Sequence, residues 1–244
     1  MISNEINGIK YVIKNPQDTI ESHLLNNKQW NPEIYNFIID YIEQFNLKHM
    51  LNVGCHIGTI ALPVSKHIQK VSCIEAYPKT YNHLKENIKL NNIENINSYN
   101  IALGNKEQRI YFMGENEICP IENKNRLKNN SGGLHVFSQK DIDENIRSAC
   151  LSDKKITNRM KRLDDIEIDN FDIMLIDIEG GEFDFLLGAK EKIMKYHPII
   201  IIEIWNDEKR KQENMKETRL DVIDFILSMD YQLTGSNGED FLFF

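Results

Sequence analysis

Four consecutive isoleucines, Ile199 to Ile202, constrain this chain more than any other feature. Neighbouring side chains of a strand point to opposite faces, so an unbroken apolar run needs cover on both sides of its sheet. Two further segments share that character: His49-Met50-Leu51-Asn52-Val53-Gly54 and Phe171-Asp172-Ile173-Met174-Leu175-Ile176-Asp177. Between such strands lie stretches with apolar residues at helical spacing. Ile34, Phe37, Ile38, Tyr41 and Ile42 mark a helix opened by Asn31 as cap and Pro32 as first residue. Tyr81, Leu84 and Ile88 mark another, opened by Pro78. Buried strands alternating with helices predict an α/β fold, a mostly parallel doubly wound sheet. An antiparallel hairpin around Ser236-Asn237-Gly238 closes it.

Further elements follow from the same patterns. Residues 57–68 read as a helix, 71–76 and 96–103 as strands, 108–113 as a fourth strand, and Asp207 to Asp230 as one charged helix. Residues 1–30 form an N-terminal extension, and 31–244 one domain interrupted at about 114–160 by a polar, aperiodic insertion. The net charge of −8 opposes a nucleic-acid partner. Residues 122–162 depart from it, with ten Lys or Arg against five Asp or Glu. That excess suits a solvated insertion, or a lid that attracts an anionic acceptor such as a phosphorylated or nucleotide-linked sugar. Four cysteines without CxxC or CxxH spacing point to a reducing compartment and no zinc site. Met1 to Lys10 has no apolar leader, and no segment approaches the roughly 18 apolar residues of a membrane span. A cytoplasmic protein, not a membrane one, is expected.

Chemistry enters at Leu51-Asn52-Val53-Gly54-Cys55-His56-Ile57-Gly58. A strand runs into Gly54, which permits a tight turn, and Gly58 lets a helix start against the sheet. Glu75 ends the next strand, twenty-one residues after Gly54, where a carboxylate accepts hydrogen bonds from ribose hydroxyls. A nicotinamide fingerprint needs GxGxxG, because its middle glycine makes room for a pyrophosphate. Here the spacing is GxxxG, with Cys55 and His56 either lining a cofactor's amino-acid end or supporting the loop. S-adenosylmethionine carries no pyrophosphate, so the loop favours it. At the third strand end, Ala102 leaves room for a flat adenine, and Asn100 either bonds the cofactor or forms the turn.

With those residues in place, the chain resembles the FkbM family of methyltransferases. Asn52-Val-Gly-Cys-His-Ile-Gly58 stands against the family's DVGANIG, and Ile74-Glu75-Ala76-Tyr77-Pro78 against its FEP. Leu175-Ile-Asp177-Ile-Glu179-Gly-Gly-Glu182 followed by Leu187-Gly-Ala189 matches KIDVEGAE and L-x-GA. Leu163-Asp164-Asp165 matches LDD, and Pro198 to Glu203 the P-x-x-x-x-E strand. The resemblance implies a Rossmann-like class I methyltransferase fold and methylation of a hydroxyl on a carbohydrate or other small metabolite. Three positions depart from it: Asn52 replaces Asp, His56 replaces Asn, and Leu175 replaces Lys.

Methyl transfer to an alcohol requires an aligned acceptor and a group to take its proton. Asp177 ends its strand at the carboxyl edge, where ligands of such sheets bind, and strand alternation puts Glu179 on the same side. Asp177 is therefore the expected base or hydroxyl ligand and Glu179 its partner, with Glu182 capping the next helix. His135, after Ser131-Gly132-Gly133, is a second candidate base on a loop. Clustered carboxylates also suit Mg²⁺, but acids this close in sequence lack a distant third ligand, so no metal residue is assigned. Glu203 contacts substrate or pairs with a cation, and Trp30 plugs the N-terminal helix. Two alternatives stand beside this reading. One is a nicotinamide-dependent oxidoreductase, which lacks its middle glycine here. The other is a cofactor-binding domain without turnover, suggested by Asn52 and Leu175.

Overall fold

The computed structural model describes residues 2–112, 137–138, 156–213 and 215–244. The chain opens with a hairpin, β1 (Ile2–Ile6) and β2 (Ile9–Ile13), and helix α1 (Thr19–Leu25). Then come α2 (Pro32–Phe45), β3 (His49–Val53), α3 (Ala61–Val64), β4 (Lys70–Ile74), α4 (Pro78–Leu90) and β5 (Ile96–Tyr99). β6 (Ala102–Leu103), β7 (Gln108–Phe112), β8 (Phe137–Ser138) and β9 (Ile156–Lys161) follow. The last part holds β10 (Ile173–Ile176), α5 (Glu182–Tyr196), β11 (Ile199–Glu203), α6 (Asp207–Gln212), α7 (Arg219–Leu227), β12 (Leu233–Asn237) and β13 (Asp240–Phe243).

Seven strands make the central sheet, in the order β12-β13-β11-β10-β3-β4-β5. From β11 to β5 every neighbouring pair is parallel, while β13 joins β11 antiparallel and β12 joins β13 the same way. The chain winds outward from β3 in one direction and from β10 in the other. The crevice between their carboxyl ends is thus the switch point where ligands of doubly wound sheets bind.

The isoleucine run behaves as its sequence requires. Ile199 and Ile201 join a core with Ile38 and Ile42 of α2 and Leu84 of α4. Ile200 and Ile202 join the opposite core with Phe185 and Leu186 of α5 and Val222 and Ile226 of α7. Each fully buried isoleucine contributes roughly 1.5–3 kcal/mol, so both layers are needed to hold the strand.

Several local expectations fail for physical reasons. The helix expected over 57–68 shrinks to α3, because Pro63 has no N–H to bond the carbonyl of Thr59. The hydroxyl of Tyr11 meets that carbonyl instead, at 3.5 Å. The helix expected from Asp207 to Asp230 is two, the second started by a capping box between Thr218 and Asp221. Asn31 adopts a left-handed conformation and makes no side-chain cap; only its carbonyl accepts from Tyr35 N–H, at 3.1 Å. The strand expected over 96–103 divides: β5 stops at Tyr99, and Ala102–Leu103 cross into a second sheet of order β6-β9-β7-β8. β7 belongs there too, since alternation reveals a half-buried strand without naming its partner. The tail of the expected insertion, Ile156–Lys161, is also a strand, antiparallel to β7.

Sequence pattern assigns no element to residues 1–30. In the structure Ile9, Tyr11, Ile13, Ile20 and Leu24 sit in the core beside α2 and α4, and Trp30 packs against it. No helix among the described residues is long and apolar enough to cross a membrane.

Candidate functional site

The crevice is built first by backbone. Past β3, the N–H groups of Gly54 and Cys55 both reach the carbonyl of Ile74 at 3.0 Å, which ties the loop to the end of β4. Gly54 has φ +82°, and a Cβ there would lie 1.7 Å from the carbonyl oxygen of Asp177. No side chain fits. Gly58 also has a positive φ, but no helix begins there; turns continue to α3 at Ala61.

Glu75 locks this loop in place. One carboxylate oxygen accepts from His56 N–H at 3.0 Å, and the other from Tyr77 N–H at 2.7 Å. The residue is 8% exposed, and burial pushes its carboxyl up to about 7, against the opposing pull of those N–H donors. Ala76 N–H pulls the same way, and the four lone-pair positions of a carboxylate still leave room for a further donor. Beside it, the Asn100 amide donates to the carbonyls of Glu75 (2.8 Å) and Ala76 (3.2 Å). Asn158 of β9 donates to Ala76 O at 2.7 Å and to Asn100 O at 3.2 Å. Sequence reasoning missed Asn158, because it lies in a stretch without apolar period. Ala76 packs against a cluster of Tyr77, Ala102, Ile110 and Phe112.

Gly54, Gly58, Glu75, Ala76 and Asn100 thus gather around one loop. Other expected binding residues stand behind it. Asn52 is buried within β3, and Cys55 faces the core near Cys73, where burial pushes its thiol up. His56 is left-handed, and burial pushes its imidazole down to about 4 against the opposing influence of Asp18. Its charged neighbours are therefore in or near the N-terminal segment, which also braces the loop through Asn87. That side chain donates to Ile57 O at 3.0 Å and accepts from Val12 N–H at 2.9 Å. These supports were not legible in sequence, since they join residues thirty or more positions apart.

Comparison with known proteins decides the family. The model described as Methyltransferase FkbM domain matches residues 52–233. The chain belongs to the FkbM methyltransferase family. Among solved structures, it is similar to methyltransferase FkbM from Methylobacillus flagellatus KT (19% identity, TM-score 0.51), covering 81% of this chain and 43% of that one. The chain therefore spans less than half the length of that relative. An O-methyltransferase from Bacillus cereus in complex with SAH aligns at 11% identity and TM-score 0.49, covering 88% of this chain and 80% of that one. SAH-bound PaMTH1 from Podospora anserina aligns at 12% and 0.46, covering 86% and 76%.

Within the methyltransferase domain, the family motifs do different work. Asp164 of the LDD motif accepts from the backbone N–H of Lys192 at 3.0 Å, and the Lys192 ammonium donates to its carbonyl at 2.7 Å. That motif staples α5 to the chain before β10. Leu175, where the family has Lys, is 7% exposed and packs in the core.

The acidic end of the crevice starts at Asp177, whose N–H donates to Val53 O at 3.0 Å. β10 stops at Ile176 and Glu179 is left-handed at φ +55°, so the chain turns instead of continuing extended. A turn, not the pleat expected from alternation, keeps Glu179 beside Asp177. Burial first, then the charges of Glu203, Glu179, Glu182 and Asp240, push the Asp177 carboxyl far above the usual range. Glu182 is fully buried at the start of α5. One oxygen accepts from Gly180 N–H at 2.9 Å, and the other faces Arg210 at 3.9 Å. Burial raises its carboxyl to about 7. Glu203 ends β11 and accepts from the Trp205 indole at 2.9 Å. Asp240, its partner across β13, is pushed up to about 6, mainly by burial. His135 lies outside the described residues. Among the described residues, no three His, Cys, Asp or Glu side chains are grouped to hold a metal ion.

Proposed function

We propose that this chain is an S-adenosylmethionine-dependent O-methyltransferase acting on a hydroxyl of a carbohydrate or other small metabolite. One observation carries the reading: the Gly54 loop, pressed against Asp177 and bonded to the Glu75 carboxylate, is shaped for an adenosine without a diphosphate. Cys55 and Ile57, inside the GxxxG turn, are 3% and 1% exposed and turn into the core, and His56 stands where a pyrophosphate-binding GxGxxG turn has its middle glycine. The residues present therefore fit the methyl donor and do not fit a dinucleotide.

In this reading Glu75 holds the ribose hydroxyls, while Gly54 and Gly58 give the loop its close approach. Ala76 and Asn100 border the adenine, and Asn52, Cys55, His56 and Ala102 support these from behind. When bound, S-adenosylmethionine supplies a methyl carbon already activated by its sulfonium. Asp177 then takes the proton of the acceptor hydroxyl, and Glu179 orients that hydroxyl. The reading gives Mg²⁺ no role. Net charge −8 favours a small-molecule or glycan acceptor over nucleic acid, and the free, buried thiols of Cys55 and Cys73 suit a cytoplasmic setting.

Calorimetry with S-adenosylhomocysteine (SAH) and with NAD tests the cofactor assignment. SAH is expected to bind and NAD not; tight NAD binding without an SAH signal would sink the proposal. Glu75→Ala should weaken SAH by roughly 1–3 kcal/mol, the worth of lost charge-assisted hydrogen bonds. The pH dependence has a definite sign. Ribose hydroxyls donate to the anion, and the free carboxyl titrates at about 7. SAH affinity should therefore be flat at alkaline pH and weaken as pH falls through 7, approaching about tenfold per unit. Glu75→Ala should abolish that slope.

A further inference from the structure

We infer that Glu203 is a positioning residue for proton removal, receiving through Asp177 the proton that leaves the acceptor hydroxyl. The inference rests on the methyl-transfer reading above and adds a second residue to it.

Strand register brings the two acids together. β10 and β11 pair Ile176 with Ile202, so the next residues, Asp177 and Glu203, leave the strands side by side. Adjacent strands run about 4.8 Å apart, and the two carboxyls come within hydrogen-bonding reach. Two carboxylates at that spacing resist joint ionisation, and one shared proton relieves them. The charge of Lys209 and a bond from Trp205 decide where it rests. The Trp205 indole is donor only, and it is fully buried with Nε1 2.9 Å from Glu203 Oε2. That bond favours the anion at Glu203, so the proton sits on Asp177, hydrogen-bonded to Glu203.

The surroundings reinforce the pair without satisfying it. Glu179 faces it from the turn after β10, Glu182 from the start of α5, and Glu239 and Asp240 from the start of β13. Of the nearby cations, Lys209 on α6 lies 3.7 Å from Glu239 and its charge also favours the anion at Glu203, while Arg210 faces Glu182. Glu182 is fully buried, with Oε2 ion-paired to Arg210 at 3.9 Å, and its charge acts on Asp177 and Glu203.

The relay balances. As the acceptor oxygen forms its bond to the methyl carbon and the carbon–sulfur bond breaks, the O–H proton passes to Asp177. The proton Asp177 already holds passes to Glu203. The pair goes from one negative charge to none, and solvent later takes the extra proton. Asp177 alone, already protonated, has no such capacity.

The test needs no acceptor. Carboxyl carbon-13 resonances of the full chain, assigned with Asp177→Asn and Glu203→Gln, are followed against pH. Glu203→Gln should lower the Asp177 midpoint by about one unit or more, at least roughly tenfold in proton affinity. Trp205→Phe should move the proton the other way, raising the midpoint of Glu203. Should that buried substitution fail to fold, Glu203→Gln decides alone. An Asp177 midpoint unchanged in Glu203→Gln overturns the relay. The same samples are checked for SAH binding by calorimetry. Normal SAH binding with independent midpoints rejects the relay alone, whereas wild-type protein that fails to bind SAH rejects the methyltransferase mechanism beneath it.

Discussion

Gly54→Ala is expected to cost the fold about 2–5 kcal/mol, from ~1–2 for a left-handed alanine and ~1–3 for displacing packed backbone. The added carbon would stand 1.7 Å from the Asp177 carbonyl oxygen, a backbone atom that no rotamer change moves aside. Either the loop flips, breaking the N–H bonds of Gly54 and Cys55 to Ile74, or Asp177 retreats and loses its own bond to Val53. Both routes open the crevice. Against a typical total of about 5–15 kcal/mol, this is a large share of stability. Urea unfolding and SAH calorimetry should show the two losses together. Gly238→Ala is the control: its φ is also positive, but nothing lies within 4 Å of the added carbon. It should cost only about 1 kcal/mol. A Gly54→Ala protein as stable and as tightly SAH-binding as wild type would refute the role given to this loop.

Asp177→Asn is expected to slow methyl transfer about 10²- to 10⁴-fold, the usual worth of a positioned proton acceptor. SAH affinity should stay nearly unchanged, because the cofactor loop meets Asp177 through its backbone carbonyl, which Asn retains. Stability should move the opposite way. Burial and four neighbouring acids raise the Asp177 carboxyl in the folded state above its unfolded value. The folded chain thus binds a proton that the unfolded chain has lost, so stability declines as pH rises above about 4. Asn removes that decline, and the variant should gain stability over wild type increasingly toward alkaline pH. Slower turnover with greater thermal stability at pH 8 is the expected joint result. A variant that loses SAH binding while gaining no stability would move Asp177 out of the acceptor site and into the cofactor's.

These two residues show how legibility divides. Gly54 was readable because a glycine at a strand-to-turn junction answers to local backbone geometry, which sequence spacing reports. Glu75 was readable for the same reason, as the last residue of an apolar run. Asp177 and Glu179 were readable as residues but not as a geometry. Strand periodicity extends them along one face, whereas the left-handed Glu179 ends the strand and folds the two acids together. Asp240, Arg210 and Asn158 carried no signal, since nothing local distinguishes an acid at a hairpin start from any surface acid. His56 could be read two ways, as lining a cofactor or as supporting the loop, and sequence did not show that Asp18 and His83 are the groups that act on it.

Sequence by itself determined the layered α/β sheet, the glycine loop after β3 and the strand-end acids, because apolar period and glycine placement act over a few residues. Tertiary structure alone decided that residues 2–30 brace that loop, that the chain around Ala102 leaves the main sheet, and that Asp177, Glu203 and Asp240 lie in one row. Each of those facts depends on which strands become neighbours, and pairing energy is shared between segments that no short window contains.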